Sequence, residues 1–129
     1  MSPWKHIALS LSTPARWIGC GFALSLLACA GSAPVPGQNQ LQYAEAHGYA
    51  TTLPQLEQGR DIFLQKCDGC HFMPRVKRHA PEKWPAIMDK MRLNAKLSAT
   101  QDTLVRTYLM VASGNLRDSL AAAKTLKAQ

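Results

Sequence analysis

Apolar residues recur at helical spacing over much of the second half of the chain, and almost no stretch alternates as a β-strand would. The first helix is predicted to begin near Thr52, because Thr52 and Gln55 have the spacing of a capping box. It should run to about Cys67. Its apolar positions are Leu56, Gly59, Phe63 and Leu64. A glycine inside a helix costs about 1 kcal/mol relative to alanine, so Gly59 indicates a place where another backbone packs closely.

The same periodicity predicts two further helices. One spans about Trp84 to Leu93 and carries one apolar face, formed by Trp84, Ile87, Met88 and Met91. The next begins at Ser98, where Ser98 and Gln101 again have capping-box spacing, and Gly114 is expected to end it. Residues 116–127 keep a weak helical register, which indicates either a short fourth helix or a frayed tail. The sequence therefore predicts an all-α fold of three to four helices.

The N-terminal part of the chain has the order of an export signal. Lys5 and Arg16 precede an apolar run over residues 17–28, which is too short for the ~20 apolar residues of a membrane span. The end of that run, Leu26-Leu27-Ala28-Cys29, resembles the lipobox of bacterial lipoproteins. The resemblance implies that residues 1–28 are a signal peptide, that Cys29 is lipidated, and that the mature protein lies on the periplasmic face of a Gram-negative membrane.

The two other interpretations of this segment are an ordinary cleaved secretory signal and an uncleaved anchor, and each also sends the rest of the chain out of the cytoplasm. Ala30, at the second mature position, favours the outer membrane under the rules of that lipoprotein class. Residues 31–42 lack an apolar period and are rich in Gly, Pro and Gln, so residues 29–51 are predicted to form a flexible tether. The structure of residues 41–51 is left open. The patterned domain covers residues 52–113, and residues 114–129 are the short helix or tail.

The residues with the most specific chemistry are Cys67, Cys70 and His71, which form a CxxCH motif. This motif is the covalent attachment site of a c-type haem: the two thiols bind the porphyrin and the histidine is the proximal iron ligand. A structural zinc site needs four ligands, and the chain has one such cysteine pair and four histidines in total. A thioredoxin-like dithiol needs a βαβ setting, which the helical spacing does not provide. We therefore expect one covalent haem c.

Charge adds a candidate docking surface. The formal net charge is +7, and removal of residues 1–28 would leave +5, because that segment contains Lys5 and Arg16 and no acid. Much of the excess follows the CxxCH motif, at Arg75, Lys77, Arg78 and Lys83. These residues form either a solvated face or a patch that steers an acidic redox partner. Nucleic acid is not an expected partner of an exported protein.

The order of these features resembles the monohaem class I cytochromes c. The resemblance rests on Gly59, Phe63, the CxxCH motif, a proline-containing loop, and Tyr108-Leu109 in the last helix. It implies that the first and last helices cross beside one covalent haem, with Gly59 and Phe63 facing the helix of Tyr108. It covers roughly half of the chain, and CxxCH is its specific part.

The distal ligand is where the chain departs from that family, whose small members place a methionine in a loop. Residues 79–91 instead resemble dihaem-cytochrome-like and haem-dehydrogenase-associated domains, in which a tryptophan is followed by a methionine on a helix. That similarity points to Met91 as the distal iron ligand. Met88, Met73, bis-histidine ligation through His79 and an open site are the alternatives.

An iron with all six positions filled changes oxidation state without binding substrate, so the expected function is single-electron transfer between redox partners, and not catalysis. We expect a monomer. The alternatives are an electron-transfer subunit of a larger periplasmic oxidoreductase and a haem-based sensor or ligand-binding module.

Overall fold

The computed structural model describes residues 33–67 and 72–129. Four α-helices follow one another: α1 (Gln38–Ala46), α2 (Leu53–Lys66), α3 (Trp84–Asn94) and α4 (Ala99–Lys127). Two short 3₁₀ turns, Val76–Arg78 and Pro81–Lys83, lie between α2 and α3. The described residues contain no strand, which confirms the all-α prediction. The predicted signal peptide, Cys29, Cys70 and His71 lie outside the described residues.

Both predicted capping boxes form. At the start of α2, the Thr52 side chain accepts from the Gln55 backbone N–H, and the Gln55 side chain accepts from the Thr52 N–H at 2.9 Å. At the start of α4, Ser98 and Gln101 make the same pair of hydrogen bonds, at 3.2 and 3.0 Å. Each box satisfies backbone donors that a helix start would otherwise leave unpaired. Both helix starts were therefore predicted correctly from the sequence.

Helices α2 and α4 cross in close contact at Gly59. A Cβ atom on Gly59 would lie 2.9 Å from the Cβ of Tyr108 and would overlap the carbonyl oxygen of Leu104. One turn further along α2, Phe63 is buried with its ring 6.1 Å from that of Tyr108. The predicted close approach of another backbone at Gly59 is therefore confirmed.

The N-terminal segment is not a loose tether over its described part. Helix α1 packs on α4, and the segment buries four small or polar side chains, which are Ala33, Pro36, Gln40 and Ala44. Three backbone carbonyls in the segment accept hydrogen bonds from side chains of the domain, as detailed below. The flexible-tether prediction was wrong for residues 33–40, and residues 41–46, which were left open, form the rest of α1. Small side chains and backbone acceptors dock the segment without an amphipathic stripe.

The predicted end of the last helix at Gly114 was also wrong. Helix α4 continues through Gly114 to Lys127. The residues expected to form a short fourth helix or a tail are therefore the last part of α4, and the predicted domain limit at residue 113 falls inside this helix. Gly114 is buried against the Tyr43 ring of α1, and a side chain there would overlap that ring. The glycine therefore makes room for α1 and does not end the helix. Residues 117–129 are exposed.

None of the helices in the described part of the chain is long and apolar enough to cross a membrane.

The crossing at Gly59 gives the first prediction. In an exposed helix interior, Gly→Ala stabilises by about 1 kcal/mol, but Gly59→Ala should destabilise the protein by about 1–3 kcal/mol, because the new methyl group overlaps α4. Urea unfolding followed by circular dichroism measures the difference. Gln58→Ala is the control, because Gln58 is the neighbouring position in α2 and is exposed, so this substitution should be nearly neutral. A neutral or stabilising effect of Gly59→Ala would show that the helices do not cross this closely.

Candidate cofactor site

Helix α2 ends at the first cysteine of the CxxCH motif. Cys67 is the C-cap residue, and its backbone N–H donates to the Phe63 carbonyl at 3.0 Å. Its side chain is half-buried and lines a cavity in the domain. The rigid end of α2 therefore fixes one of the two predicted attachment residues at the edge of this cavity. Cys70 and His71 continue the chain from this point, outside the described residues.

The cavity lies between the end of α2, helix α3 and the middle of α4. It encloses about 460 Å³ of empty space, including the solvent at its mouth, and its walls are almost entirely apolar. Its principal lining side chains are Phe63, Cys67, Pro74, Trp84, Ile87, Met88, Met91 and Leu109. An apolar cavity with a few convergent functional groups is the usual form of a cofactor site.

Helix α3 directs its predicted apolar face into this cavity. Trp84 and Met88 are buried, with 1% and 2% of their surfaces exposed, and Met91 is half-buried one turn further on. Both candidate methionines line the cavity, so two thioether groups lie on a wall of the space that Cys67 also borders. The predicted apolar face of α3 thus faces the cavity. That it faces a bound haem, and that Met91 is the distal ligand, stay predictions.

The other two candidate ligands lie elsewhere in the site. Met73 packs against the main apolar core, and its neighbour Pro74 lines the cavity. His79 is half-buried and packs edge-on against Trp84, with ring centroids 5.2 Å apart. His79 thus contacts the Trp84 indole but is not among the residues that line the cavity, whereas both α3 methionines are.

The indole N–H of Trp84 supports a bound group with polar as well as apolar parts. The Nε1 atom is buried and has no hydrogen-bond partner among the described residues. A buried donor without an acceptor costs about 1–3 kcal/mol, and native structures rarely leave one. A porphyrin has large apolar faces and two carboxylate groups, so the apolar lining of this cavity fits its faces, and a carboxylate is an acceptor of the kind that the buried Trp84 N–H lacks.

Arg106 of α4 fixes helix α3 beside the cavity. Its Nε donates to both carboxylate oxygens of Asp102 at 2.9 Å, and its two terminal nitrogens donate to the Pro85 carbonyl at 2.9 Å and to Asp89 at 2.8 Å. Burial opposes the guanidinium charge, but the hydrogen bonds to Asp102 and Asp89 raise the pKa of Arg106 overall. Arg106 therefore joins the first turns of α3 to α4 by charge-assisted hydrogen bonds.

Arg106 was not among the residues predicted from the sequence. The Asp102–Arg106 spacing of four residues was a readable signal for an ion pair on one helix. The contacts with Pro85 and Asp89 join positions 21 and 17 residues apart in the chain, and nothing in the local pattern indicates them.

Four exposed cations follow the motif, and three of them, Lys77, Arg78 and Lys83, lie in the two 3₁₀ turns. Arg75, Lys77, Arg78 and Lys83 are all exposed, and none makes an ion pair within 4 Å in the part of the chain that the structure describes. Lys66 adds a further positive charge on the cavity wall. This distribution agrees with either predicted role, a solvated face or a docking patch.

Comparison of the chain with models of protein families, with curated proteins and with solved structures finds no match. Within residues 33–67 and 72–129, no group of three or more His, Cys, Asp or Glu side chains could hold a metal ion. The interpretation of the site therefore depends on the CxxCH motif and on the cavity beside it.

The Arg106 contacts give a second prediction. Arg106→Gln should lower the free energy of unfolding by about 2 kcal/mol, because it removes charge-assisted hydrogen bonds to two carboxylates and leaves Asp102, which is largely buried, without its partner. Urea unfolding measures the change. Arg117→Gln, on the exposed part of the same helix, is the control and should alter stability by less than about 0.5 kcal/mol. Equal effects of the two substitutions would contradict the role assigned to Arg106.

Proposed function

We propose that this protein is an exported monohaem cytochrome c, tethered to the periplasmic side of a membrane by lipid on Cys29, that transfers single electrons between redox proteins. The observation that carries the proposal is the position of Cys67. The first cysteine of a CxxCH motif caps a helix at the edge of an apolar cavity, and two methionines line a wall of the same cavity.

Each residue of the motif then has a role. Cys67 and Cys70 would hold the porphyrin through thioether bonds, His71 would be the proximal ligand, and Met91 would be the distal ligand. Bound in this way, the haem supplies an iron that cycles between two oxidation states.

The remaining residues of the site control the surroundings of that group. The apolar side chains of α2, α3 and α4 exclude water, which together with the axial ligands tunes the reduction potential. Trp84 offers a buried donor for a porphyrin carboxylate. Arg106 keeps α3, and with it both methionines, in a fixed position. The exposed cations near the motif would steer a brief, salt-sensitive encounter with an acidic partner.

One observation favours the alternative of a subunit in a larger oxidoreductase. Residues 117–127 continue α4 beyond the domain and are exposed throughout, with Leu120 and Leu126 showing 55% and 73% of their surfaces. A stable partner would bury such leucines. Co-purification of a complex with the full chain, but not with a chain ending at residue 116, would support this alternative over a freely diffusing carrier.

The third prediction tests the covalent haem. The protein matured in a host able to attach haem c should keep its pigment through acid acetone extraction, because thioether bonds survive that treatment. The double variant Cys67→Ser with Cys70→Ser should lose all of it. Cys29→Ser is the control and should retain the pigment, because Cys29 has no part in haem attachment. A colourless wild-type protein would refute the proposal.

The fourth prediction separates the two methionines of α3. Met91→Ala should abolish the methionine-to-iron absorption band of the ferric protein and lower the reduction potential. Met88→Ala should keep the band and instead destabilise the fold by about 2–5 kcal/mol, because it empties a buried position. The ferric spectrum and urea unfolding of both variants provide the comparison.

If Met88→Ala loses the band and Met91→Ala keeps it, the ligand is Met88. If neither variant changes the spectrum, and the ferrous protein binds carbon monoxide, the haem has an open site and the electron-carrier proposal gives way to a ligand-binding module.

A further inference from the structure

The chain between the proposed lipid and the folded domain is very short. Ala33 is already buried, with 1% of its surface exposed, so only residues 30–32 separate it from Cys29. A fully extended chain spans at most about 3.5 Å per residue, so Cys29 and Ala33 are no more than about 14 Å apart. A tether over the whole of residues 29–51 would have allowed about 75 Å.

Several contacts fasten the segment where it meets the domain. The Tyr108 hydroxyl donates to the Pro34 carbonyl at 2.8 Å, and the Arg60 Nε donates to the Ala33 carbonyl at 3.1 Å. Further along, the Asn115 side chain donates to the Asn39 carbonyl at 3.2 Å. These bonds join the segment to both α2 and α4.

Burial makes the first of these contacts persistent. The Tyr108 ring is completely buried, and burial raises the pKa of its hydroxyl, so the group stays protonated and able to donate at physiological pH. Pro34 and Pro36 restrict the backbone on either side of Val35, which reduces the entropy lost when the segment docks. The segment is therefore part of the domain and does not act as a flexible linker.

We propose that the face of the domain around Ala33 lies against the lipid bilayer. The proposal rests on lipidation of Cys29, as stated under the proposed function, and adds an orientation and a distance to it. Val35 is 67% exposed beside Ala33 and gives this face an apolar side chain at the bilayer.

The covalent connection, and not surface charge, maintains this position. The charged residues next to Val35 and Pro36 are Glu57, Arg60 and Asp61, which together carry a net negative charge and would not attract anionic lipid. The orientation should therefore persist at high salt, whereas electrostatic adsorption would weaken.

The same contacts limit the distance between the haem and the membrane. Arg60 bonds to Ala33, and Cys67 lies seven positions after Arg60 at the end of α2, which corresponds to about 10 Å along a helix axis. Together with the chain from Cys29 and the length of the Arg60 side chain, this keeps Cys67 within roughly 30 Å of the lipid. The electron partner must then expose its own redox centre close to the membrane surface.

Neutron reflectometry of the lipidated protein on a supported bilayer tests the proposal without depending on haem. The wild-type protein layer should begin at the headgroups, at low and at high salt. A variant with about 30 Gly and Ser residues inserted between Gly31 and Ser32 should move outward by up to about 30 Å, the mean span of such a linker. The matched control carries the same insertion after Gln129 and should not move.

The outcomes separate this inference from the function it extends. A wild-type layer more than about 15 Å from the headgroups, or equal positions for the wild type and the Gly31 insertion variant, would overturn the orientation. Absence of lipid on Cys29, read by mass spectrometry, would overturn both the anchor and the orientation. Absence of covalent haem would overturn the electron-transfer proposal alone, because the layer position does not depend on the haem.

Discussion

The close crossing of α2 and α4 is the contact on which the other parts of the structure depend. Tyr108 lies at its centre, with its Cβ against Gly59, its ring against Phe63 and its hydroxyl bonded to Pro34. The crossing thus sets the direction in which α2 delivers Cys67, and it also provides the surface on which the N-terminal segment docks. One side chain joins the candidate cofactor site to the segment that leads to the proposed lipid anchor.

The cavity beside α3 has the opposite effect on stability from the close helix crossing. An open apolar space in a small domain forfeits van der Waals contacts along the side of α3 that faces it. Trp84 and Met88 pack α3 into the main apolar core, and the hydrogen bonds of Arg106 to its first turns also hold it in place. Directional polar contacts can hold a helix at a fixed distance without filling the space in front of it, which is what a cofactor site requires. A covalently attached macrocycle in this cavity would restore the missing apolar contacts.

Local signals explain which parts of the fold were predictable. The two capping boxes depend on residues three apart, and Gly59 is unfavourable inside a helix unless a neighbour packs closely on it. Each could therefore be identified from a few neighbouring positions. Helix α1 and the continuation of α4 through Gly114 could not, because they involve contacts between distant residues, such as the Tyr43 ring against Gly114 and the Asn115 side chain on the Asn39 carbonyl. A glycine that ends a helix and a glycine that admits a neighbouring ring look the same in sequence. The same limit applies to Arg106, whose partners lie on another helix, while the CxxCH motif and the methionines of α3 were evident because their spacing is local.

The docked N-terminal segment changes how a small electron carrier would meet its partners. A long flexible tether would let the domain sample a large volume, and the effective concentration of a membrane-bound partner would fall as that volume grows. With lipid on Cys29, a connection of no more than about 14 Å would confine the domain to a layer at the membrane surface, so encounters with partners in that layer would become frequent even when each contact is weak. Weak contacts suit electron transfer, because the complex must separate after each electron, and they agree with a domain whose exposed cations make no fixed ion pairs in the described structure. Confinement near the bilayer would then supply the encounter rate, and the exposed cations that follow the motif would supply only the orientation.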